Sequence, residues 1–443
     1  MTTLRLAWLF GRRSVSARST VILPVVAFAV VTALLLIVAG GAQAFFSWTD
    51  DIAGLYQVLA VIALSLLVVP LVALGGSAAR LSARRRDDRL ASLRLLGATP
   101  RMVTALTVIE STVLALAGAI AGVVLALLAS PLVALIPFRG EPLGMSILLS
   151  PLWVAVAVLG IGALAALSAV VGLRGVILSP LGVRTRQQAP RVHWVRALIT
   201  VGVVLLVAVA MTALRAVADV GIVMVVLAVG FGGSIAVLNL IGPWVLRLVA
   251  SGQARRARTA RRLLAARAVL ESPKAAWRQV SGVAMTSFMA VFAGVGVALM
   301  DAAGDSGDPQ SRLLVADIRT GVLITVIASF LMVACSAGVN QAAAILDRRD
   351  LYVSLDRIGM PVAEMNAARS RAVMSPLRVT AIGSAVTAAV VVLPLTGMSL
   401  LLSPLTLVTV AACLAAGVLL VWAALRATRP VLARVLAEPS PSL

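Results

Sequence analysis

The chain has 443 residues, of which 61% are hydrophobic and only 12% are charged. Soluble domains carry roughly 25% charged residues, so this composition excludes an ordinary soluble enzyme. The formal charge of +21 could indicate nucleic-acid binding, but the arginines lie in short segments between apolar runs, and that placement is typical of membrane topology. We therefore predict an all-α polytopic membrane protein that has no nucleic-acid partner.

Ten apolar runs follow one another along the chain, each close to or above the roughly 20 residues that a bilayer-spanning helix needs. They lie at about 19–46, 55–79, 103–137, 149–173, 197–214, 218–246, 280–300, 320–345, 372–397 and 402–425. The first run follows Arg12 and Arg13, as the core of a signal peptide would. It is much longer than the about 7 to 15 residues of such a core, so we predict an uncleaved span and ten transmembrane helices.

The basic residues separate between the two sides of this predicted topology. Of the 38 Lys and Arg residues, 34 fall on one side and only four fall on the other, namely Arg139, Arg215, Arg312 and Arg319. Because basic segments resist translocation, the basic side is predicted to be cytoplasmic, and both termini lie there. An error of one span would destroy this separation.

An internal repeat relates residues 86–99 to residues 348–361, at an offset of 262. Five of the 14 aligned positions are identical: Arg86 and Arg348, Asp88 and Asp350, Ser92 and Ser354, Leu93 and Leu355, and Gly97 and Gly359. Each copy follows a predicted span and ends at a glycine with a proline soon after, as helices commonly do. The pattern predicts two short cytoplasmic helices, at 85–97 and 347–359.

The repeat extends to a unit of four spans around each of these helices. Both units open on a basic segment, at residues 4–13 and 261–270. We therefore predict a first four-span repeat at 1–185, a linker with two spans at 186–255, and a second four-span repeat at 256–443.

The residues of the first copy resemble a known family. The run from Arg84 to Arg101, the span that contains Ile109-Glu110-Ser111, and Ser179-Pro-Leu-Gly-Val183 are similar to the signature of FtsX-like (MacB-type) ABC transporter permease domains. The second copy matches in layout, with a weaker signature that lacks an acidic residue equivalent to Glu110. The ten-span layout resembles that of bacitracin-type resistance permeases. Those carry a large outer domain between spans seven and eight, where this chain has only residues 301–319.

The resemblance implies a multi-pass protein of the bacterial plasma membrane that works with two copies of a cytoplasmic ABC ATPase. A short charged helix between two membrane helices is a suitable binding site for such an ATPase. We expect the coupling residues to be Arg86, Asp88, Ser92, Leu93, Arg94 and Gly97 in the first copy and Arg348, Asp350, Ser354, Leu355 and Gly359 in the second. Alternatively, these arginines only enforce topology and bind anionic lipid headgroups at about 1 kcal/mol each.

The chain is predicted to hold no ATPase of its own. A phosphate-binding loop ends in Gly-Lys-Ser or Gly-Lys-Thr, whereas the lone lysine stands in Pro273-Lys274-Ala275. ATP is therefore expected to bind the partner ATPase, and we predict no enzyme activity, cofactor or metal in this chain. Its two cysteines, Cys335 and Cys413, lie inside apolar runs and indicate neither a disulfide nor a metal site.

Glu110 is the acidic residue that lies well inside a predicted span, whereas Asp219 lies at the outer edge of the span at 218–246. Charge at membrane depth is functional by default, but Glu110 lies about two turns from the cytoplasmic end, so it could instead face the interface and pair with a loop arginine. Nearby, Gly118 and Gly122 form a small-xxx-small pair that could let two helices approach closely.

Three functions remain open on the sequence. The first is the permease subunit of an ABC transporter that exports, extracts or confers resistance to an amphiphilic compound, such as an antimicrobial peptide, a lipid or a hydrophobic small molecule. The second is a non-transporting FtsX-like transmembrane regulator. The third is an ion-coupled secondary transporter, which would require ionisable residues at the membrane midplane and broken helices.

Overall fold

The computed structural model describes residues 18–50, 52–61, 63–64, 67, 71, 100–177, 202–203, 205–207, 209, 220–303, 309–401 and 404–437. We number its helices in chain order as α1 (Arg18–Phe46), α2 (Pro100–Ala134), α3 (Pro151–Ile177), α4 (Val220–Arg255), α5 (Ala260–Glu271), α6 (Pro273–Ala303), α7 (Pro309–Asp347), α8 (Arg349–Arg357), α9 (Val362–Leu401), α10 (Pro404–Ala427) and α11 (Arg429–Ala437). A two-stranded hairpin, β1 (Pro137–Phe138) and β2 (Glu141–Pro142), and a 3-10 helix (Gly144–Ile147) connect α2 to α3.

Among the described residues, seven helical stretches are long and apolar enough to cross a membrane. They are Pro24–Phe46, Val108–Ala134, Gly144–Val170, Val229–Arg255, Arg312–Ile345, Val362–Pro394 and Leu414–Ala433. The prediction of an all-α polytopic membrane protein is confirmed. The predicted spans at 55–79 and 197–214 lie mostly outside the described residues, and the one at 280–300 lies within α6, which has 31 residues. The total of ten spans stays a prediction.

The chain divides into two compact units. The first unit comprises Met1–Thr185, Leu331–Met360 and Ala423–Leu443, and the second comprises Arg186–Phe330 and Pro361–Trp422. In the first unit α2 packs along both α1 and α3. In the second unit α9 packs along α6, and α4 and α5 pack beside them.

Two glycines allow α1 and α2 to approach closely in the first unit. A Cβ added at Gly118 would lie 2.5 Å from Phe28 Cβ, and one added at Gly122 would lie 2.6 Å from the carbonyl oxygen of Ala29. Neither position leaves room for a side chain, because real Cβ atoms do not come so near to another atom. The small-xxx-small spacing of Gly118 and Gly122 thus lies at a close contact between two helices.

A tight turn and a group of aromatic rings shape the α2–α3 connection. Arg139 and Gly140 form the hairpin turn with φ angles of 57° and 82°, as a type I′ turn requires. The Arg139 guanidinium lies 3.9 Å from the Trp48 ring centroid and 4.8 Å from that of Tyr56, and it donates a 2.9 Å hydrogen bond to Asp50 Oδ1. These contacts hold the hairpin against the segment that follows α1.

The core of the second unit is apolar and partly aromatic. Phe288, Val291 and Val295 of α6 pack against Ala388 and Val392 of α9. Phe231 of α4 adds edge-to-face ring contacts to this core at centroid distances of 5.4 and 5.5 Å, within the range that stabilises aromatic pairs. Shape-matched packing of this kind is the main source of helix association where lipid already surrounds the apolar surface.

Several hydroxyl groups of the long helices bond to their own helix. Thr286 Oγ1 donates to the Gly282 carbonyl at 3.0 Å, Thr380 Oγ1 to that of Pro376 at 2.7 Å, and Ser384 Oγ to that of Thr380 at 2.7 Å. Such bonds satisfy a polar group locally at membrane depth. All three residues are buried, so their hydroxyl groups are satisfied within the packed helices.

Candidate functional site

The second of the two predicted cytoplasmic helices is present as α8. It begins after Arg348, whose carbonyl accepts a 3.1 Å hydrogen bond from the Tyr352 amide, and it connects α7 to α9. Within the first unit α8 packs against α11, where Leu432 is completely buried. This support holds one side of a nine-residue helix that would be marginal on its own.

The C-terminus of α8 has a defined hydrogen-bond pattern. The Met360 amide donates to the Leu355 carbonyl at 3.0 Å, and the Gly359 amide donates to that of Asp356 at 2.9 Å. Together with the φ of 83° at Gly359, these two bonds form a Schellman motif. The predicted left-handed glycine at this helix end is confirmed, and Pro361 follows it directly after Met360.

One face of α8 presents apolar groups to solvent. Leu351 is 49% exposed and Ile358 is 78% exposed, and their spacing of seven places them on one side of the helix. Ser354 and Leu355 lie between them at the third and fourth positions of the same face, the first exposed and the second half-buried. This i, i+3, i+4, i+7 set is the pattern by which a helix binds an apolar groove of another protein.

Sequence reasoning identified only part of this face. Ser354 and Leu355 were predicted because the repeat preserves them, whereas Leu351 and Ile358 align with Arg89 and Leu96 and were not singled out. The signal that could have found them is the apolar spacing of seven within a charged helix.

The remaining predicted coupling residues have different outcomes. Arg348 is half-buried directly before α8, and Asp350 lies in its first turn. The first-copy residues Arg86, Asp88, Ser92, Leu93, Arg94 and Gly97 lie outside the described residues.

Glu110 lies near one edge of its candidate span. The span runs from Val108 to Ala134, so Glu110 is in its first turn, and its side chain is half-buried. The next residue, Ser111, is buried and donates a 2.9 Å hydrogen bond to the Val108 carbonyl. The helix α2 itself begins earlier, at Pro100, and both interpretations of Glu110 stay predictions.

No group of three or more His, Cys, Asp or Glu residues that could hold a metal ion occurs among the described positions. Within that part of the chain, the arrangement that stands out chemically is therefore the exposed apolar face of α8 with its charged flanks. An exposed apolar helix face of this kind can contact a protein partner.

Comparison with known proteins gives one family match. Residues 61–181 match the model described as FtsX-like permease C-terminal. The matched stretch contains the first predicted coupling helix, Glu110, and the close-packed glycines of α2. No curated protein matched the chain in the comparison.

Proposed function

The chain carries a permease domain of the FtsX-like ABC transporter family at residues 61–181, and from this premise we propose that it is the transmembrane subunit of an ABC transporter. In this proposal, a separate ATPase hydrolyses ATP, and the chain uses that hydrolysis to export or extract an amphiphilic compound or to confer resistance to it. The domain match at residues 61–181 and the apolar helices support a multi-pass protein of the plasma membrane.

The observation that carries the coupling proposal is the exposed face of α8. Leu351 and Ile358 would bind an apolar groove of the ATPase, while the Schellman motif at Gly359 defines how α8 ends. Because α8 is connected at both ends to long membrane helices, a displacement of α8 is transmitted to those helices. Closure of the ATPase would therefore move α7 and α9.

The repeat suggests how many ATPase subunits bind. Residues 85–97 and 347–359 share five identities, so one chain would already provide two docking helices. We expect a complex of one permease with two ATPase subunits. Mass photometry or native mass spectrometry of the purified complex should give this ratio, and two copies of the permease per complex would contradict it.

The proposed substrate class follows from the small amount of chain outside the membrane. The α2–α3 connection, on the predicted outer side, consists of a short hairpin and one 3-10 turn. We therefore favour a compound that partitions into the bilayer, such as an antimicrobial peptide, a lipid or a hydrophobic small molecule.

The described helices give less support to an ion-coupled transporter. Secondary transporters bind ions where spanning helices are broken, whereas α7 is continuous over 39 residues. The non-transporting regulator remains the alternative. It shares the ATPase contact and differs only in moving no substrate.

The coupling proposal can be tested at Gly359. A Cβ there would meet no atom within 4 Å, so a substitution acts through the φ of +83° alone. A left-handed conformation costs a β-branched residue at least about 1–2 kcal/mol, so Gly359→Val should reorient the helix end and uncouple ATP hydrolysis from transport. Gly359→Asn should retain coupling, since asparagine tolerates this conformation.

The measurement is substrate-stimulated ATPase activity and transport in proteoliposomes that contain the permease and its ATPase. Gly383→Val is the matched control, because that glycine also has open space around it but no positive φ. A paired Leu351→Ala and Ile358→Ala variant should lose ATPase co-purification. If Gly359→Val retained full stimulation and transport, α8 would be a topology signal only. If ATPase coupling were intact with no substrate moved, the regulator would be the better description.

A further inference from the structure

A dense basic surface lies in the second unit, where α4, α5 and α6 meet. Six arginines and no acidic residue occur between positions 255 and 267. All six are exposed: Arg255, Arg256, Arg258, Arg261, Arg262 and Arg267. Because α4 and α6 both have predicted cytoplasmic ends here, this surface is placed at the inner boundary of the membrane.

The α5 helix has two different faces. Ala265, Ala266 and Val269 are buried, and α5 packs on α4 and α9. The opposite face carries Leu263, which is 42% exposed, and Leu264, which is 38% exposed, together with Arg267. Exposed leucines beside arginines, on a helix that already has a packed face, indicate a second apolar neighbour.

Polar contacts fix α5 and the end of α4 relative to α9. Arg261 Nη1 lies 3.9 Å from Glu364 Oε1. Gln253 Nε2 donates to Ser375 Oγ at 2.8 Å, and the same hydroxyl lies 3.0 Å from Gln253 Oε1. Arg256 and Arg258 lie in the four-residue connection between α4 and α5, so the basic surface is formed by two packed helices and the short connection between them.

We propose that the surface formed by Arg255, Arg256, Arg258, Arg262, Arg267 and the two exposed leucines binds anionic phospholipid headgroups of the cytoplasmic leaflet. Arginine side chains would reach the phosphates while Leu263 and Leu264 enter the acyl boundary, as in an interfacial amphipathic helix. Each basic residue near an anionic leaflet raises the binding constant roughly fivefold. Nucleic acid would account for the arginines but not for the leucines next to them.

The test uses the purified full chain and native mass spectrometry of lipid adducts. Phosphatidylglycerol is titrated against phosphatidylcholine with the same acyl chains, and the ratio of their dissociation constants is the readout. Wild type should prefer phosphatidylglycerol. A variant with Arg255→Gln, Arg256→Gln, Arg258→Gln and Arg262→Gln should lose at least tenfold of that preference. It leaves Arg261 and its contact with Glu364 unchanged.

The matched control removes four exposed arginines elsewhere, by Arg371→Gln, Arg378→Gln, Arg426→Gln and Arg429→Gln. It has the same net charge as the first variant and should lose less than threefold. Equal losses in the two variants would mean that only net charge matters, and the proposal would be wrong. The proposal would also be wrong if the first variant kept its preference for phosphatidylglycerol but no longer bound the ATPase subunit.

A second measurement remains informative if the quadruple variant does not fold. Cysteine replaces Leu263 in a chain with Cys335→Ala and Cys413→Ala, and it is labelled with an environment-sensitive fluorophore in nanodiscs. Brominated phosphatidylglycerol should quench this label more strongly than brominated phosphatidylcholine does. A label at Gln253 should show a smaller difference. Equal quenching by both lipids at Leu263 would contradict an anionic-lipid site.

Discussion

Arg139 is a non-glycine residue in a left-handed conformation, and its neighbours explain why it stays there. The φ of 57° costs an ordinary L-residue about 1–2 kcal/mol. The guanidinium stacks on Trp48 and Tyr56, and cation–π contacts contribute about 0.5–2 kcal/mol depending on solvent exposure. The ring contacts and the bond to Asp50 offset the backbone cost, so the turn is set by tertiary contacts rather than by local preference.

The Asp50–Arg139 pair predicts a pH dependence. The hydrogen bond from Arg139 holds the pKa of Asp50 below its ordinary value of 3.8. Because the pKa of Asp50 is lower in the folded state than in the unfolded state, the pair stabilises the fold at pH values above the unfolded-state pKa. This stabilisation is lost as the pH falls through the folded-state pKa. The emission of Trp48 should therefore be unchanged between pH 7 and pH 4 and should change only below about pH 3.8.

The matched control for this experiment is Asp50→Asn, which keeps the side-chain size and removes the titrating group. The difference spectrum between wild type and this variant isolates the contribution of the pair from the other tryptophans. A wild-type transition above pH 5 that disappears in Asp50→Asn would show that the pKa is raised, contrary to the geometry.

At the scale of helices, the α1–α2 contact depends on the absence of two side chains. A Cβ at Gly122 would lie 2.6 Å from both the Ala29 carbonyl oxygen and Thr32 Cβ. Backbone atoms cannot yield as a flexible side chain does, so Gly122→Val should separate the helices and destabilise the protein by about 1–3 kcal/mol. Thermal unfolding in detergent would measure this as a lower midpoint.

Gly160→Val on α3 is the matched control, since a Cβ at that position has nothing within 4 Å. Both substitutions add the same β-branched side chain inside a helix, so the helix-propensity cost is shared. Equal midpoints for the two variants would mean that the α1–α2 distance is not the quantity that matters.

The helices also show what hydropathy could and could not predict. Apolar runs marked the parts of helices inside lipid, so α7 was expected from residue 320 and α9 from residue 372. These helices begin earlier, at Pro309 and Val362, because the backbone hydrogen bonds of a helix can continue beyond the apolar run. The end of α8 was predictable because glycine and proline determine it locally.

Sites formed by tertiary contact were not predictable in the same way. The Arg139 cluster joins residues about 90 positions apart, Asp50 and Arg139 being separated by 89, and a single sequence contains no signal for such a pairing. Likewise, the basic segment at residues 261–270 was recognised as the start of a repeat but not as a helix with one buried and one exposed face. The alanines that form its buried face are too common in this chain to stand out.

At the scale of the whole molecule, the polar contacts can be compared with the predicted topology. Asp50 and Arg139, which contact each other, are both predicted to lie outside. Arg261 and Glu364 are both predicted to lie inside. Gln253 is also predicted to lie inside, and it contacts Ser375 near the cytoplasmic end of the predicted span at 372–397. A wrong span count between the members of any pair would place them on opposite sides of the membrane, so the three contacts agree with the distribution of arginines.

This agreement leads to a labelling prediction in cells. In a chain with Cys335→Ala and Cys413→Ala, single cysteines at Asp51, Asp305 and Gly397 should react with a membrane-impermeant maleimide from outside. Cysteines at Gln187, Gln253 and Ser440 should react only after permeabilisation, because 34 of the 38 basic residues hold those segments in the cytoplasm. Ser375→Cys is the internal check, since its hydroxyl contacts Gln253 and it must share the accessibility of that residue. Outside labelling at Gln253 would show that the number of spans before it is odd, and the four-two-four layout would then have to be replaced.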